Sequence, residues 1–362
     1  MKVVIDCYHV SEKMRGMGIY LSEILGALAQ LPKINFHLLT NNSMSAGMLN
    51  ERFFDLKNVE IKTLKSPLPV YEQLLLPIYC QKIKADFLIS SGNTATMFGV
   101  SKKQILLIHD VYYLKKKKDS DGANSLKRIL GEIYRKSTTS IAANKSIGII
   151  SVSEFAKSDI VDELQVAADK VTIIHNGVDA EYSLAYELLS AKKKRILIVS
   201  GSSPQKNLPA TITGLTSNSL LKQEFEGIDI VGVSSEDELG LQSDDFVTYH
   251  GHLSRADVKR FYQSCSHFML PSLYESFGIP AIEALMAGCD VYLSNRGAMI
   301  GLLEGAGSYY DPLEKAGLSD IVVQMALSKP LTLEQYQKNL AVAHKYTWEN
   351  SILAFRDYLD AL

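Results

Sequence analysis

Short apolar runs alternate with segments of helical periodicity, and the alternation happens twice along the chain. Val3-Val4-Ile5 is the first run, followed by a loop carrying Gly16-Met17-Gly18. Ile19, Tyr20, Ile24, Leu25 and Leu28 then recur at helical spacing, and residues 36–40 form the next run. Strand, glycine-bearing loop, helix and strand make a parallel βαβ unit. Residues 86–90, 104–110, 147–153 and 171–175 continue the series. They are apolar almost throughout, as strands covered by helices on both faces must be. Ser153 suits the N-cap of a helix running from Glu154 to about Leu164.

The turn Asn176-Gly177-Val178-Asp179 interrupts the series, and the polar, basic stretch ending Lys192-Lys193-Lys194-Arg195 reads as a linker. The pattern then restarts, with apolar runs at residues 196–200, 228–232, 247–250, 267–271 and 290–294. A chain of 362 residues holds two domains on a prior of roughly 150 residues each. The expected fold class is therefore α/β, with two doubly wound, Rossmann-like domains. In such sheets ligands bind outside the carboxyl ends of the strands, and here two such edges are expected to face each other across a cleft.

Composition narrows the function. Lys plus Arg is 38 and Asp plus Glu is 40, a formal net charge of -2, which lacks the basic excess of a general nucleic-acid binder. The four cysteines, Cys7, Cys80, Cys265 and Cys289, are scattered without a CxxC pair, so they read as buried thiols of a cytoplasmic protein. The N-terminus turns acidic at Asp6, too soon for a secretory leader. The apolar run at residues 74–80 is far shorter than the ~20 residues of a spanning helix.

The densest chemistry lies around Glu275 and Glu283. Leu270-Pro271-Ser272 ends a strand, which puts Tyr274 to Phe277 in the loop beyond it. Pro280 suits the first turn of a helix and Gly288 its end. The amides of Phe277, Gly278 and Ile279 then sit at a helix N-terminus, where a phosphate is favoured. Gly278 removes a side chain where a ligand must come close. Glu275 can accept sugar hydroxyls and Glu283 ribose hydroxyls. Taken alone, two glutamates at this spacing read more readily as a dipole partner and a solvated loop residue.

The whole run, Pro271-Ser272-Leu273-Tyr274-Glu275-Ser276-Phe277-Gly278-Ile279-Pro280-Ala281-Ile282-Glu283-Ala284, resembles the Glu-x7-Glu signature of family 4 glycosyltransferases, retaining enzymes of the GT-B fold. The resemblance implies that Glu275 contacts the donor sugar and Glu283 the ribose. It assigns Ser276 and the amides of Phe277, Gly278 and Ile279 to sugar and phosphate. Ser151-Val152-Ser153-Glu154-Phe155-Ala156 and His175-Asn176-Gly177-Val178-Asp179 are similar to further family segments, and Asn176 joins the donor set with them. Gly251, His252 and Leu253 resemble the loop whose backbone reads the base. Tyr346-Thr347-Trp348 resembles the start of a terminal helix that crosses back to the first domain. The expected domains are residues 1–175 for the acceptor, 176–345 for the nucleotide sugar, and 346–362 for the returning helix.

Lys206 follows the first strand of the second domain, where a cation can neutralise a departing diphosphate. The family's loop often carries Arg before this Lys; here Gln205 stands there. Arg296 or Lys259 is a candidate replacement. The family commonly carries His-Asp after this strand, and the resemblance implies that His109 faces the donor sugar or the reaction centre rather than being a core His, while Asp110 is either an acceptor contact or a structural hydrogen-bond partner. Gly16 and Gly18 match the family's loop near phosphate and acceptor. The loop is not GxGxxG, and no acidic residue ends the next strand in the dinucleotide manner. No Asp-x-Asp stands at a strand end, so neither metal nor cofactor is expected.

The expected function is retaining transfer of a hexosyl group from a nucleoside-diphosphate sugar to a glycan or lipid-linked acceptor. The expected setting is cell-envelope polysaccharide synthesis, including lipopolysaccharide. A sugar-nucleotide epimerase of the same fold and a non-catalytic nucleotide-sugar-binding subunit are the alternatives. Lys115-Lys116-Lys117-Lys118, with Lys127, Arg128, Arg135 and Lys136, form a basic region. Each such residue is worth about 1 kcal/mol at an anionic leaflet. The expected location is the cytoplasm, with peripheral docking on the inner face of its membrane.

Overall fold

The computed structural model describes residues 1–10, 16–100, 103–115 and 126–362, without the side chains of residues 126–128 and 315. The chain divides into two compact units. One comprises Met1–His175 with Trp348–Leu362, and the other Asn176–Thr347.

The first unit holds β1 (Lys2–Asp6), β2 (Asn35–Thr40), β3 (Val59–Thr63), β4 (Phe87–Ser90), β5 (Gln104–Leu107), β6 (Gly148–Ser151) and β7 (Val171–Ile173). Its sheet order is β3-β2-β1-β4-β5-β6-β7, and every pairing is parallel. Val4, Leu39 and Leu88 are buried under one group of helices, and Leu106, Ile149 and Val171 under another. The last helix, Trp348–Asp360, buries Trp348, Phe355 and Leu359. It packs on the helix Gly16–Ile24 and the following 3-10 segment, and the Ser351 hydroxyl donates to the His175 carbonyl at 2.7 Å.

The second unit holds β8 (Lys193–Val199), β9 (Gly227–Val231), β10 (Val247–Tyr249), β11 (Cys265–Leu270), β12 (Asp290–Ser294) and β13 (Ser308–Tyr310). The order is β10-β9-β8-β11-β12-β13, again parallel throughout. Ile196, Ile198, Ile230, Met269 and Tyr292 form its core with Leu208 and Ile212 from a covering helix. Strand order reverses between β1 and β4 in one sheet and between β8 and β11 in the other. Two connections leave in opposite directions there and open a crevice at the carboxyl ends.

Four local expectations change. Gly16-Met17-Gly18 is not a loop: these residues open the helix Gly16–Ile24, with Gly18 buried in its first turn. Lys193, Lys194 and Arg195 are not linker but the start of β8. Arg195 is admitted to a sheet because it forks onto the buried Asp229 at 2.5 and 3.0 Å. The run at 104–110 is strand only to Leu107, so His109 and Asp110 lie past its end. Edge strand β3 has no place in the apolar series because it reads Val-Glu-Ile-Lys-Thr and is mostly exposed. All four cysteines are buried and free, and among the described residues no helix is long and apolar enough to cross a membrane.

Candidate active site

In the second unit the site is assembled at the switch point. The chain leaves β8, makes a 3-10 turn at Pro204–Lys206 and enters the helix Leu208–Thr216. The loop after the neighbouring β11 carries Glu275. Lys206 Nζ meets Glu275 Oε2 at 2.7 Å, with both side chains largely covered. The Leu273 amide donates to the Gln205 carbonyl at 2.8 Å, tying the two loops together. A third loop, after β12, backs Glu275: the Ala298 amide donates to its carbonyl at 2.9 Å. A Cβ on Gly297 would stand 2.5 Å from that carbonyl oxygen.

Gly278 turns the chain into the helix Ile279–Met286 with φ of 84°. Pro280 occupies the first turn, where its missing N–H costs nothing. Phe277 is a buried peg, its ring edge-on to Tyr346 at 5.6 Å. Ser276 is half-buried beside it and Ile279 begins the helix. The helix ends where Gly288 takes φ of 69°. Its axis therefore directs a positive end at the loop holding Glu275.

Glu283 lies one turn further in and is buried. Burial pushes its carboxyl up to about 7, against the pull of the Tyr262 and Tyr182 hydroxyls and of Arg255. At neutral pH Glu283 is thus a carboxyl that can donate or accept. The turn from Asn176 comes alongside: Asn176 is buried, Asp179 pairs with Arg255 at 3.0 Å, and Tyr182 ends the next short turn.

Gly251 follows β10 with φ of 62° and bonds to the loop after β9 through its amide, to Val233, and its carbonyl, to Gly232. His252 is exposed, Leu253 half-buried, and Ser254 caps the helix Arg255–Ser264. Neither substitute for the missing Arg is uncommitted. Arg296 pairs with Asp311 at 2.6 Å and Lys259 with Glu181 at 3.0 Å. Lys206 is therefore the cation joined to Glu275.

The remaining candidates belong to the first unit. His109 is buried edge-on to Tyr20 at 4.8 Å, and its Nε2 has no partner. Desolvation, then His9, lowers its pKa to about 4, so the ring is neutral at pH 7. Asp110 Oδ1 accepts from the Tyr112 amide at 3.1 Å. Asp110 also lines a cavity of about 760 Å³ with His9, Asn93, Thr94, Tyr134 and Arg135. Gly16 has open space around it, with nothing within 4 Å of an added Cβ. Lys116, Lys117 and Lys118 lie outside the described residues, as do the side chains of Lys127 and Arg128. Lys115 is paired with Asp159 at 2.6 Å. Among the described residues no three His, Cys, Asp or Glu side chains are grouped to hold a metal.

Sequence reasoning did not find Tyr182, Tyr262 or Gly297. They come from segments far apart in the chain, and no local pattern marks them.

Residues 14–182 match the model of glycosyltransferase family 4, and residues 187–304 that of glycosyl transferases group 1. A serotype-specific mannosyltransferase WbdA of Escherichia coli is 23% identical over 223 residues, 56% of this chain and 27% of that protein. O-antigen chain mannosyltransferase B of E. coli is also 23% identical, over 56% of this chain and 57% of its own. The chain thus spans from about a quarter to somewhat over half the length of these relatives. The crystal structure of Anabaena HepE in complex with UDP superimposes over the full length of both chains, with a TM-score of 0.73 and 16% identity. That likeness shows a GT-B fold.

Proposed function

We propose that this chain, which belongs to the glycosyltransferases of the family 4 type, transfers a hexosyl group from a nucleoside-diphosphate sugar to a saccharide acceptor. The proposed setting is cell-envelope polysaccharide synthesis. The observation that carries this reading is the Lys206–Glu275 pair at 2.7 Å, set at a sheet switch point before the positive end of the helix Ile279–Met286. The names of the mannosyltransferase relatives and the UDP in the HepE crystal support it.

Under this reading the diphosphate lies on the amides of Phe277, Gly278 and Ile279, with Lys206 on the oxygen that gains charge as the sugar leaves. Glu275 accepts sugar hydroxyls and Ser276 adds a donor. Glu283 holds the ribose, and Gly251, His252 and Leu253 meet the base, with Asn176 holding the adjoining turn. Gly16 and Gly18 are assigned to phosphate, His109 to the donor sugar and Asp110 to the acceptor. The reaction draws its charge compensation from Lys206 and the helix rather than from a metal. We propose retention, with attack on the face the leaving group vacates and the acceptor proton passing to the departing phosphate. Incubation with a panel of nucleotide sugars and saccharide acceptors should give a product with the donor's anomeric configuration by NMR. An inverted anomer refutes retention, and an epimer formed without acceptor favours an epimerase.

We also propose peripheral docking on an anionic membrane through the first unit. Ile129, Leu130 and Ile133 are exposed on the helix Leu126–Lys145, beside exposed Arg135 and Lys136. Apolar side chains next to basic ones suit an anionic interface. Sedimentation with phosphatidylglycerol-containing vesicles should retain the protein at low salt and release it at high salt. Equal recovery with neutral vesicles refutes the electrostatic part.

A further inference from the structure

A second cavity, of about 210 Å³, opens at the opposite edge of the second unit's sheet. Lys194, Ser266, His267 and Asp290, toward the amino ends of β8, β11 and β12, line it together with Lys192 and Lys329. The Lys206–Glu275 pair stands beyond the carboxyl ends of β8 and β11. The helix Ile279–Met286 runs between the two places. Its first turn is the proposed diphosphate seat, and Gly288, just past its end, is a wall of this cavity.

Counting protons gives the direction of the hydrogen bonds inside. The Ser328 hydroxyl donates its one proton to the Met325 carbonyl at 2.8 Å, so it accepts from His267 Nε2 at 2.7 Å. His267 is buried, and desolvation, followed by Lys194 and Lys192, lowers its pKa to about 3. The ring is therefore neutral at pH 7, and its bare Nδ1 accepts from the Ser266 hydroxyl at 2.7 Å. Ser266 is left with lone pairs only. Asp290 is a second acceptor: the Tyr292 hydroxyl donates to its Oδ2 at 2.6 Å, and 24% exposure keeps its side chain within reach of a ligand.

The same walls carry positive charge without a counterion. Lys192 is half-buried, and its ammonium donates to the Tyr262 and Ala287 carbonyls at 2.8 Å each and to Cys289 Sγ at 3.3 Å. Its protons thus go to neutral atoms. Among the described residues neither Lys192 nor exposed Lys329 has a carboxylate partner, whereas Lys194 pairs with Glu224 at 2.8 Å. A partly buried charge with no counterion is costly, and an anion in the cavity supplies one. A bare anion leaves Asp290 and Ser266 facing it as acceptors; a ligand that also carries hydroxyls satisfies both. We propose that this cavity binds a small phosphate ester of a polyol, its phosphate toward Lys329 and Lys192 and its hydroxyls on Asp290 and Ser266. The volume of about 210 Å³ falls below the ~300–1,000 Å³ of larger ligand sites, which limits the ester to the size of one sugar.

The test is a phosphorus NMR titration of the full chain with glucose 6-phosphate, ribose 5-phosphate and inorganic phosphate, each with and without saturating UDP. At least one ester should bind about tenfold or more tightly than inorganic phosphate, because its hydroxyls gain acceptors. UDP should not displace it, since the proposed donor seat lies at the other ends of the strands. Lys329→Glu, at an exposed position, should weaken the ester about tenfold or more, the usual cost of a lost charge-assisted hydrogen bond, and leave UDP affinity unchanged. Asp290→Asn, which keeps an acceptor for Tyr292, should weaken the ester but not inorganic phosphate. Absence of ester binding, displacement by UDP, or wild-type ester affinity in Lys329→Glu overturns the proposal. Inorganic phosphate binding as tightly as the esters, or an unchanged ester in Asp290→Asn, overturns the polyol part. Should UDP itself not bind, that counts against the glycosyl-transfer reading, and the two variants still decide this one.

Discussion

Lys206→Ala is expected to slow sugar transfer by about 10²–10³-fold, the usual cost of removing one charge-stabilising group from a reacting centre. The loss should be large because no neighbour can take over. Gln205 stands where a second cation would help, and Arg296 and Lys259 are held by Asp311 and Glu181. Stability should change by no more than about 1 kcal/mol, since the Lys206–Glu275 pair keeps partial solvent contact. A reaction-specific loss therefore separates from a folding defect in the same variant. Lys206→Arg should recover part of the rate by restoring the charge. Steady-state transfer assays with a thermal melt decide the matter. Undiminished turnover in Lys206→Ala would remove the proposed role, and donor binding without any transfer in the wild type would point to a binding subunit.

Gly278→Ala is expected to abolish donor binding and destabilise the second unit. Its φ of 84° lies in the left-handed region, and the added methyl would stand 2.4 Å from the Met299 Cε. Holding a non-glycine residue there costs about 1–3 kcal/mol. Met299 can swing away, but the backbone strain remains, and relief would rotate the amides at the helix start. Those amides are the proposed diphosphate seat, so UDP affinity should fall more steeply than the melting temperature. Calorimetric titration with UDP measures the first and a thermal melt the second. A variant that binds UDP like the wild type would show that the phosphate is held elsewhere.

Much of this architecture is readable from apolar runs. Buried parallel strands such as β9 and β12 must be apolar on both faces, so they announce themselves. Edge strands β3 and β13 do not, since one side of each is solvated. Arg195 conceals the start of β8 because its charge is cancelled by Asp229, a partner 34 positions away. The start of the helix Gly16–Ile24 is hidden for a different reason: glycine has poor helix propensity, and packing overrides it.

Two parallel α/β sheets can be read directly from the amino-acid order, and so can a glutamate, a glycine hinge and a second glutamate within one short segment. Those properties are local: periodicity, a proline in a first turn, a glycine where the backbone must turn left-handed. Tertiary structure alone decided which groups meet. Lys206 reaches Glu275 because β8 and β11 are neighbours across the reversal in strand order. Glu283 has a carboxyl raised to about 7 because burial keeps water from it, against the pull of the Tyr262 and Tyr182 hydroxyls. Charge, solvation and hydrogen-bond direction depend on neighbours in space, and those neighbours come from segments tens of residues apart.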